Sequence, residues 1–219
     1  YGTDALIFNG SGVWTAEEQS LEKILTDLKL SFKAVSSAEM NAMSVDELAD
    51  YGMILWPGGS GTSQANSLTA TTRANLRAAV RERGVGFLGF CAGAFMGVDP
   101  LQIVETQTEN YYYLENQGVS AAITPATFPD GSSRDVLWYG GPVTPNLAQS
   151  VVAKYPTGDP MITETRAGEG FVILCGTHPA APLSVATSLG LTDRDGADSE
   201  LAASLILSVL KRQPLPTFP

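Results

Sequence analysis

The stretch from Val85 to Gly97 constrains the fold of this 219-residue chain more than any other segment. It begins with a short apolar run with interleaved glycines, which is typical of a strand buried on both faces. Cys91 then stands at the centre of Gly89-Phe90-Cys91-Ala92-Gly93, which has the G-x-S-x-G form of a nucleophile elbow with sulfur in place of oxygen. The backbone is strained at such a strand-to-helix turn, and glycines two positions away let neighbouring segments approach closely.

The motif leaves two interpretations of Cys91 open. In the first, the following helix points its N-terminus at the sulfur and its partial positive charge favours a nucleophilic thiolate. In the second, Cys91 is an unreactive residue at the end of a glycine-rich strand, since free cysteines are among the most buried residues. A nucleophilic thiolate needs a base or an ion-pair partner, so a histidine nearby would favour the first interpretation.

Apolar runs alternate with helical segments in the first half of the chain. The predicted elements are strands at 5–8, 32–35, 53–56 and 85–88, and helices at 15–29, 44–51 and 68–83, the first two helices each opening with a capping box at Thr15 and Ser44. This order predicts a parallel sheet with helices on both faces and a ligand crevice beyond the carboxyl ends of the strands. Asn9, the glycine-rich segment Pro57–Gly61 and Cys91 all follow such strands, so we expect them to meet at one site.

The second half of the chain predicts shorter strands, at 101–104, 111–114, 119–123, 151–155, 161–165 and 171–175, and a closing helix at 201–210. Asp130-Gly131 is typical of a hairpin turn. No repeat, low-complexity segment or linker interrupts the chain, so residues 1–219 are predicted to form a single domain.

His178 is the one histidine of the chain and directly follows the predicted strand at 171–175. A lone histidine is more often structural than catalytic, but this one is expected at the same sheet edge as Cys91. Backbone N–H groups of Ala92 and of Gly58 or Gly59 would be placed to stabilise an oxyanion, although Pro57–Gly61 also fits an ordinary loop.

An unusual cluster of aromatic residues and glycines, Trp138-Tyr139-Gly140-Gly141-Pro142, fits two interpretations. It is either one wall of the pocket or a packed turn. Both cysteines are predicted to be free, because the side chain of a strand residue such as Cys175 and that of Cys91 in the elbow would point in different directions.

Charge and composition exclude several classes of partner. A net charge of −10 argues against nucleic acid and anionic membranes, and no apolar run is long enough to span a membrane. The densest basic stretch, from Arg73 to Arg83, has the spacing of a solvated helix face. No cysteine–histidine cluster occurs, so we expect no metal or other cofactor.

The sequon at Asn9 and the scarcity of lysine are compatible with secretion, and a cytoplasmic location stays open.

Four segments together resemble the class I glutamine-amidotransferase-like superfamily: Trp56–Gly59, Gly89–Ala94, Trp138–Pro142 and Gly176–Pro179. Within the superfamily, the chain is similar to the domain at the N-terminus of some biotin–protein ligases, which also occurs as a stand-alone protein. The resemblance implies a flavodoxin-like three-layer α/β/α sandwich with a mostly parallel central sheet. It also implies that Cys91 is the nucleophile, His178 the base, and Gly59 and Ala92 the oxyanion donors.

The chain departs from the amidotransferase pattern at Ala180, where the family has the glutamate that orients the histidine. Two hypotheses follow. The chain is a stand-alone cysteine hydrolase that acts on an amide or related acyl bond of a small-molecule or peptide-like substrate, or it is a catalytically silent ligand-binding module. We expect no synthetase or ligase domain in this chain, so we also expect no transfer of ammonia within it. A carboxylate beside His178 Nδ1, from Asp4, Glu17 or Glu18, would favour the enzyme, and an apolar surround would favour the binding module.

Overall fold

A nine-stranded sheet passes through the centre of the molecule in the computed structural model, which describes Tyr1–Pro219. In chain order the strands are β1 (Thr3–Phe8), β2 (Phe32–Val35), β3 (Tyr51–Trp56), β4 (Gly86–Phe90), β5 (Ala122–Thr127), β6 (Ser133–Trp138), β7 (Val151–Lys154), β8 (Pro160–Ala167) and β9 (Gly170–Cys175). Their order in the sheet is β2-β1-β3-β4-β9-β8-β7-β5-β6. The first five of these are parallel, and the remaining four extend the sheet in antiparallel fashion.

Helices cover both faces of the sheet. They are α1 (Thr15–Asp27), α2 (Ser37–Asn41), α3 (Val45–Leu48), α4 (Gly61–Asn66), α5 (Ala70–Arg81), α6 (Ala92–Val98), α7 (Tyr113–Asn116), α8 (Leu183–Ser188) and α9 (Ser199–Lys211). None of them has the length and apolar character needed to cross a membrane.

The core is divided into two clusters because successive strand side chains point to opposite faces. On one face Ile7 and Leu55 pack with residues of α1 and α9. On the other face Leu6 and Ile54 pack with residues of α5 and α6. The predicted three-layer α/β/α sandwich is therefore confirmed, and the strand carboxyl ends meet at one edge of its parallel half.

The predicted elements of the first half are all present, but one capping box is not. Ser44 and Glu47 cap α3 reciprocally, as predicted. Thr15 is instead the first residue of α1, after Trp14, and no side chain caps this helix. The expectation fails because Glu18 is buried and is not free to reach back to the start of the helix.

The region between Asp99 and Ala122 differs most from expectation. Residues 101–104 form no strand, because Leu101 and Ile103 are buried in the core cluster below α5 and α6 without pairing to the sheet. The strand expected at 111–114 is reduced to one bridge at Tyr111, followed by the short helix α7. The hairpin turn at Asp130-Gly131 is confirmed, since it joins the antiparallel strands β5 and β6.

Candidate active site

Cys91 lies at a sharp turn between β4 and α6, as the motif predicted. Its φ of 52° and ψ of −105° are unusual for a residue with a side chain. The two glycines of the motif make the turn possible. A Cβ atom on Gly89 would overlap the carbonyl oxygen of Gly93, and a Cβ atom on Gly93 would overlap that of Trp56. Cys91 is held in place by its N–H, which donates to the Cys175 carbonyl at 2.8 Å.

The Cys91 side chain lies at the wall of a cavity of about 750 Å³. Only 5% of the residue is exposed, and its sulfur is 3.4 Å from the carbonyl oxygen of Tyr139. Gly59, Ala92 and Gly140 line the same cavity. A substrate in the cavity would therefore have access to the sulfur while most of the thiol is shielded from water.

His178 follows β9, the parallel neighbour of β4 in the sheet, and so lies at the same edge as Cys91. Its backbone N–H donates to the Leu137 carbonyl at 2.8 Å. The edge of its ring packs against Trp14, with 4.9 Å between ring centroids, and the residue is 2% exposed. The imidazole is therefore fixed in a nearly dry environment.

Glu17 of α1 places a carboxylate beside His178, which Ala180 cannot provide. Its Oε2 lies 2.5 Å from His178 Nδ1, and its Oε1 accepts a hydrogen bond of 2.6 Å from the Gly58 N–H. The residue is fully buried. Of the three carboxylates named from the sequence, only that of Glu17 forms a hydrogen bond or ion pair with His178. Asp4 instead accepts hydrogen bonds from Ser31.

The charges around His178 favour its protonated form. Burial by itself lowers the pKa of the imidazole, but the opposing effects of Glu17 and of the Cys91 sulfur raise that pKa well above its ordinary value. The contact with the Glu17 carboxylate therefore favours the imidazolium over the neutral ring. The thiol of Cys175 is the protonated form, because complete burial raises its pKa to about 12. Both cysteines are free thiols in the structure.

The backbone N–H groups of Gly59 and Ala92, two residues of the cavity lining, have no hydrogen-bond acceptor. Their residues flank Cys91 in the cavity lining, which is where an oxyanion would need donors. The N–H of Gly58 is already used, since it donates to Glu17. Of the two alternatives predicted from the sequence, Gly59 therefore has the free N–H group, and Gly58 binds the carboxylate that contacts the histidine.

The structure divides the predicted pocket residues into two groups. Tyr139 and Gly140 line the cavity, and Asn9 and Trp138 do not. Asn9 is exposed and its N–H continues the pairing of β1 with β2. Trp138 is fully buried and its indole N–H donates to the Gly141 carbonyl at 2.9 Å, as expected for a packed turn.

Gly141 lies behind the sulfur and outside the cavity lining. A Cβ atom there would overlap the Gly176 carbonyl and come within 3.4 Å of the Cys91 sulfur. The glycines of this segment therefore let two loops meet beside the nucleophile, which is a role that the sequence signalled only as an unusual glycine pair.

Three charged residues of the cavity lining were not predicted from the sequence: Arg73, Asp99 and Glu115. Arg73 was expected on a solvated helix face. Its guanidinium instead donates to the Ala65 carbonyl at 2.6 Å, and its buried Nε has no hydrogen-bond partner. Helical spacing alone could not distinguish a cavity-facing position from a solvent-facing one on α5.

The chain is an α/β/α sandwich protein with a cysteine at a strand-to-helix elbow. A buried histidine and a buried carboxylate lie at the same edge of its sheet. Residues 3–110 match a family model described as biotin-protein ligase, N terminal. Comparison with curated proteins finds no match. Over these residues the chain is similar to the N-terminal domain of biotin–protein ligase, which confirms the resemblance for the two motif segments that lie within them, Trp56–Gly59 and Gly89–Ala94.

Solved structures support this fold assignment. PurLQS from Thermotoga maritima is 14% identical, with 98% of this chain and 100% of that chain covered and a TM-score of 0.62. A glutamine amidotransferase is 14% identical, with 94% and 98% covered and a TM-score of 0.57. A beta-galactosidase from Bacillus circulans sp. alkalophilus is 13% identical, with 99% and 32% covered and a TM-score of 0.57. At these identities the likeness is one of fold.

Proposed function

We propose that this protein is a cysteine hydrolase that cleaves an amide or related acyl bond through a thioester on Cys91. The observation that carries the proposal is the 2.5 Å contact between Glu17 Oε2 and His178 Nδ1. A nucleophile, a base and a carboxylate that orients the base are the three parts of a catalytic triad. In this chain the three parts are Cys91, His178 and Glu17.

Acylation of Cys91 is the first half of the proposed reaction. The Cys91 thiolate attacks the carbonyl carbon of the substrate, and the N–H groups of Gly59 and Ala92 stabilise the oxyanion that forms. The imidazolium of His178 then gives its Nε2 proton to the leaving amine as the carbon–nitrogen bond breaks. Glu17 keeps the other ring nitrogen, Nδ1, protonated throughout.

Hydrolysis of the thioester is the second half. Neutral His178 takes a proton from a water molecule as the water oxygen attacks the thioester carbon. The carbon–sulfur bond then breaks, which releases a carboxylic acid and restores the Cys91 thiolate beside the His178 imidazolium. Water is the one reactant needed besides the substrate, and its oxygen and protons end in the carboxylic acid and on His178.

The cavity and the comparisons support a small-molecule or peptide-like substrate. A volume of about 750 Å³ has room for a compact polar molecule, and the lining offers Arg73, Asp99 and Glu115 as charged partners. One of the similar structures is a glutamine amidotransferase, whose name supports amide chemistry. The silent binding module is disfavoured, because it predicts an apolar surround for His178 Nδ1 and this nitrogen faces a buried carboxylate.

Chemical labelling and acyl-enzyme trapping together test the proposal. Iodoacetamide should alkylate Cys91 at least about 100-fold faster than Cys175, and His178→Ala should slow the reaction at Cys91. Incubation with a panel of primary amides, anilides and thioesters should give a covalent adduct on Cys91 detectable by mass spectrometry. Cys175→Ala is the matched control and should leave both results unchanged. Equal labelling of the two thiols, with no effect of the His178 change, would overturn the proposal.

A further inference from the structure

Arg73 is a cation in the wall of the cavity beside Cys91, and the proposed reaction steps leave it without a role. It belongs to α5, and it lines this cavity together with Cys91. The other two arginines of α5, Arg77 and Arg81, both form ion pairs with Glu105. Arg73 forms no ion pair, although the chain has a net charge of −10. Its positive charge is therefore available to a ligand in the cavity.

The guanidinium of Arg73 is fixed by one hydrogen bond, and its other donors are unused. Its Nη2 donates to the Ala65 carbonyl at 2.6 Å, near the end of α4. Its Nε is buried without a partner, and its Nη1 forms no hydrogen bond within the chain. A guanidinium offers five N–H donors in a planar fork. Because this guanidinium is oriented and largely unpaired, it is suited to bind an anion.

Two carboxylates in the same lining limit the charge of that anion. Asp99 and Glu115 are exposed to water, and neither forms an ion pair. Both would repel an anion bound at Arg73, and they would repel a phosphate dianion about twice as strongly as a carboxylate. A carboxylate also matches the planar fork of a guanidinium, with two parallel hydrogen bonds. The lining therefore favours a single carboxylate over a phosphate.

Helix α6 adds an apolar surface to the cavity. The helix begins directly after Cys91, and its residues Ala92, Phe95 and Met96 all line the cavity. An aliphatic part of a substrate would be removed from water by packing against these side chains. The cavity therefore combines a nucleophile, an apolar surface and one unpaired cation.

We propose that Arg73 binds a free carboxylate of the substrate, and that the substrate class is therefore an amide or related acyl compound with one carboxylate group. The inference rests on the proposed hydrolase function for the bond that reacts, and it adds the group that the cavity recognises. Arg73 determines specificity in this scheme, because it binds the substrate away from the reacting carbonyl. Neutral amides and phosphorylated amides should both bind more weakly.

Paired anionic and neutral alkylating probes test the role of Arg73. The anionic probes are N-iodoacetylglycine, N-iodoacetyl-β-alanine and N-iodoacetyl-γ-aminobutyrate, and the methylamide of each is its neutral partner. At least one anionic probe should alkylate Cys91 about 10-fold or more faster than its methylamide. Arg73→Gln should lower this ratio of rates to about 1 or below, and Arg73→Lys should keep part of it. Arg77→Gln is the matched control from the same helix and should keep the full ratio.

Calorimetry with Cys91→Ala protein tests the same inference without any reaction at the thiol. The N-acetyl analogue of the preferred probe, or of each probe where Cys91 proves unreactive, should bind about 10-fold or more tightly than its methylamide. Arg73→Gln in the same background should abolish this preference. Alkylation of Cys91 no faster than that of Cys175 would overturn the hydrolase and leave the calorimetric result to decide the role of Arg73. Absence of any preference for the carboxylate, or a preference unchanged in Arg73→Gln, would overturn the inference about Arg73.

Discussion

Replacing Glu17 with glutamine tests the most specific feature of the candidate site. The amide has the shape of the carboxylate, and its oxygen can still accept the hydrogen bond from the Gly58 N–H. Its NH₂ group would then face His178 Nδ1 in place of Oε2. Because an NH₂ group only donates, it would bind the neutral imidazole with Nδ1 unprotonated, and the imidazolium beside Cys91 would lose its partner.

The size of the effect follows from the burial of this contact. A hydrogen bond to a charged group contributes about 1.5–3 kcal/mol, and both partners here are shielded from water. Loss of this stabilisation of the imidazolium should slow alkylation of Cys91 by about 10- to 150-fold. Hydrolysis of a trapped substrate should fall further, by about 10³- to 10⁴-fold, because the wrong tautomer also removes the general acid.

Mass spectrometry of the intact protein measures the alkylation rate, and circular dichroism shows whether each variant is folded. Glu18→Gln is the matched control: Glu18 is the neighbouring residue, is 2% exposed and makes no contact with His178. A folded Glu17→Gln variant that is alkylated as fast as the Glu18→Gln variant would refute the orienting role of Glu17. The pH dependence supplies a second readout, since loss of the Glu17 charge should move the alkaline limb of the rate profile to lower pH.

Three further predictions concern stability and thiol chemistry. Burial raises the pKa of Glu109 to about 9, above its ordinary value of 4.5. Between pH 4.5 and pH 9 the folded protein therefore holds a proton that the unfolded chain releases. The free energy of unfolding should fall by about 1.4 kcal/mol per pH unit across this range. Urea denaturation at pH 6 and pH 8 should show this slope flattened in Glu109→Gln, and an equal slope would contradict it. Gly89→Ala should cost about 3 kcal/mol or more, because the new Cβ atom would overlap the Gly93 carbonyl oxygen. Gly118→Ala has open space and only a positive φ, so it should cost about 1–2 kcal/mol; a cost at Gly89 no larger than at Gly118 would count against the tight elbow. Titration of denatured, unreduced protein should find two thiols from Cys91 and Cys175, and finding none would reveal a disulfide.

Local features of the site were accessible from the sequence, because they depend on residues that are neighbours along the chain. The strand, turn and helix around Cys91 follow from glycine spacing and an apolar run. His178 could be placed at the same edge because it directly follows a recognisable strand. Tyr139 and Gly140 in the cavity wall were identified by an unusual run of aromatic residues and glycines.

For contacts between distant segments, the sequence indicates several candidate residues and cannot choose among them. Glu17 was one of three carboxylates considered, and the choice depends on how α1 packs against the sheet. Because the same packing buries Glu18, the capping box predicted at Thr15 does not form. Arg73 has the spacing of an exposed helix face, and only the position of α5 beside the cavity shows otherwise.

His178 and the strand β9 that precedes it come late in the chain, well after Cys91. A nascent chain that ends at β8 contains Cys91 but neither His178 nor the strand that positions it. The missing strand, β9, is central in the sheet, between β4 and β8, so it enters a gap that the earlier strands leave open. A growing chain on the ribosome would therefore expose an ordinary cysteine, and the activated thiol would arise only once the whole sheet is assembled. Under the proposed mechanism, rapid alkylation of Cys91 would report that β9 has joined the sheet.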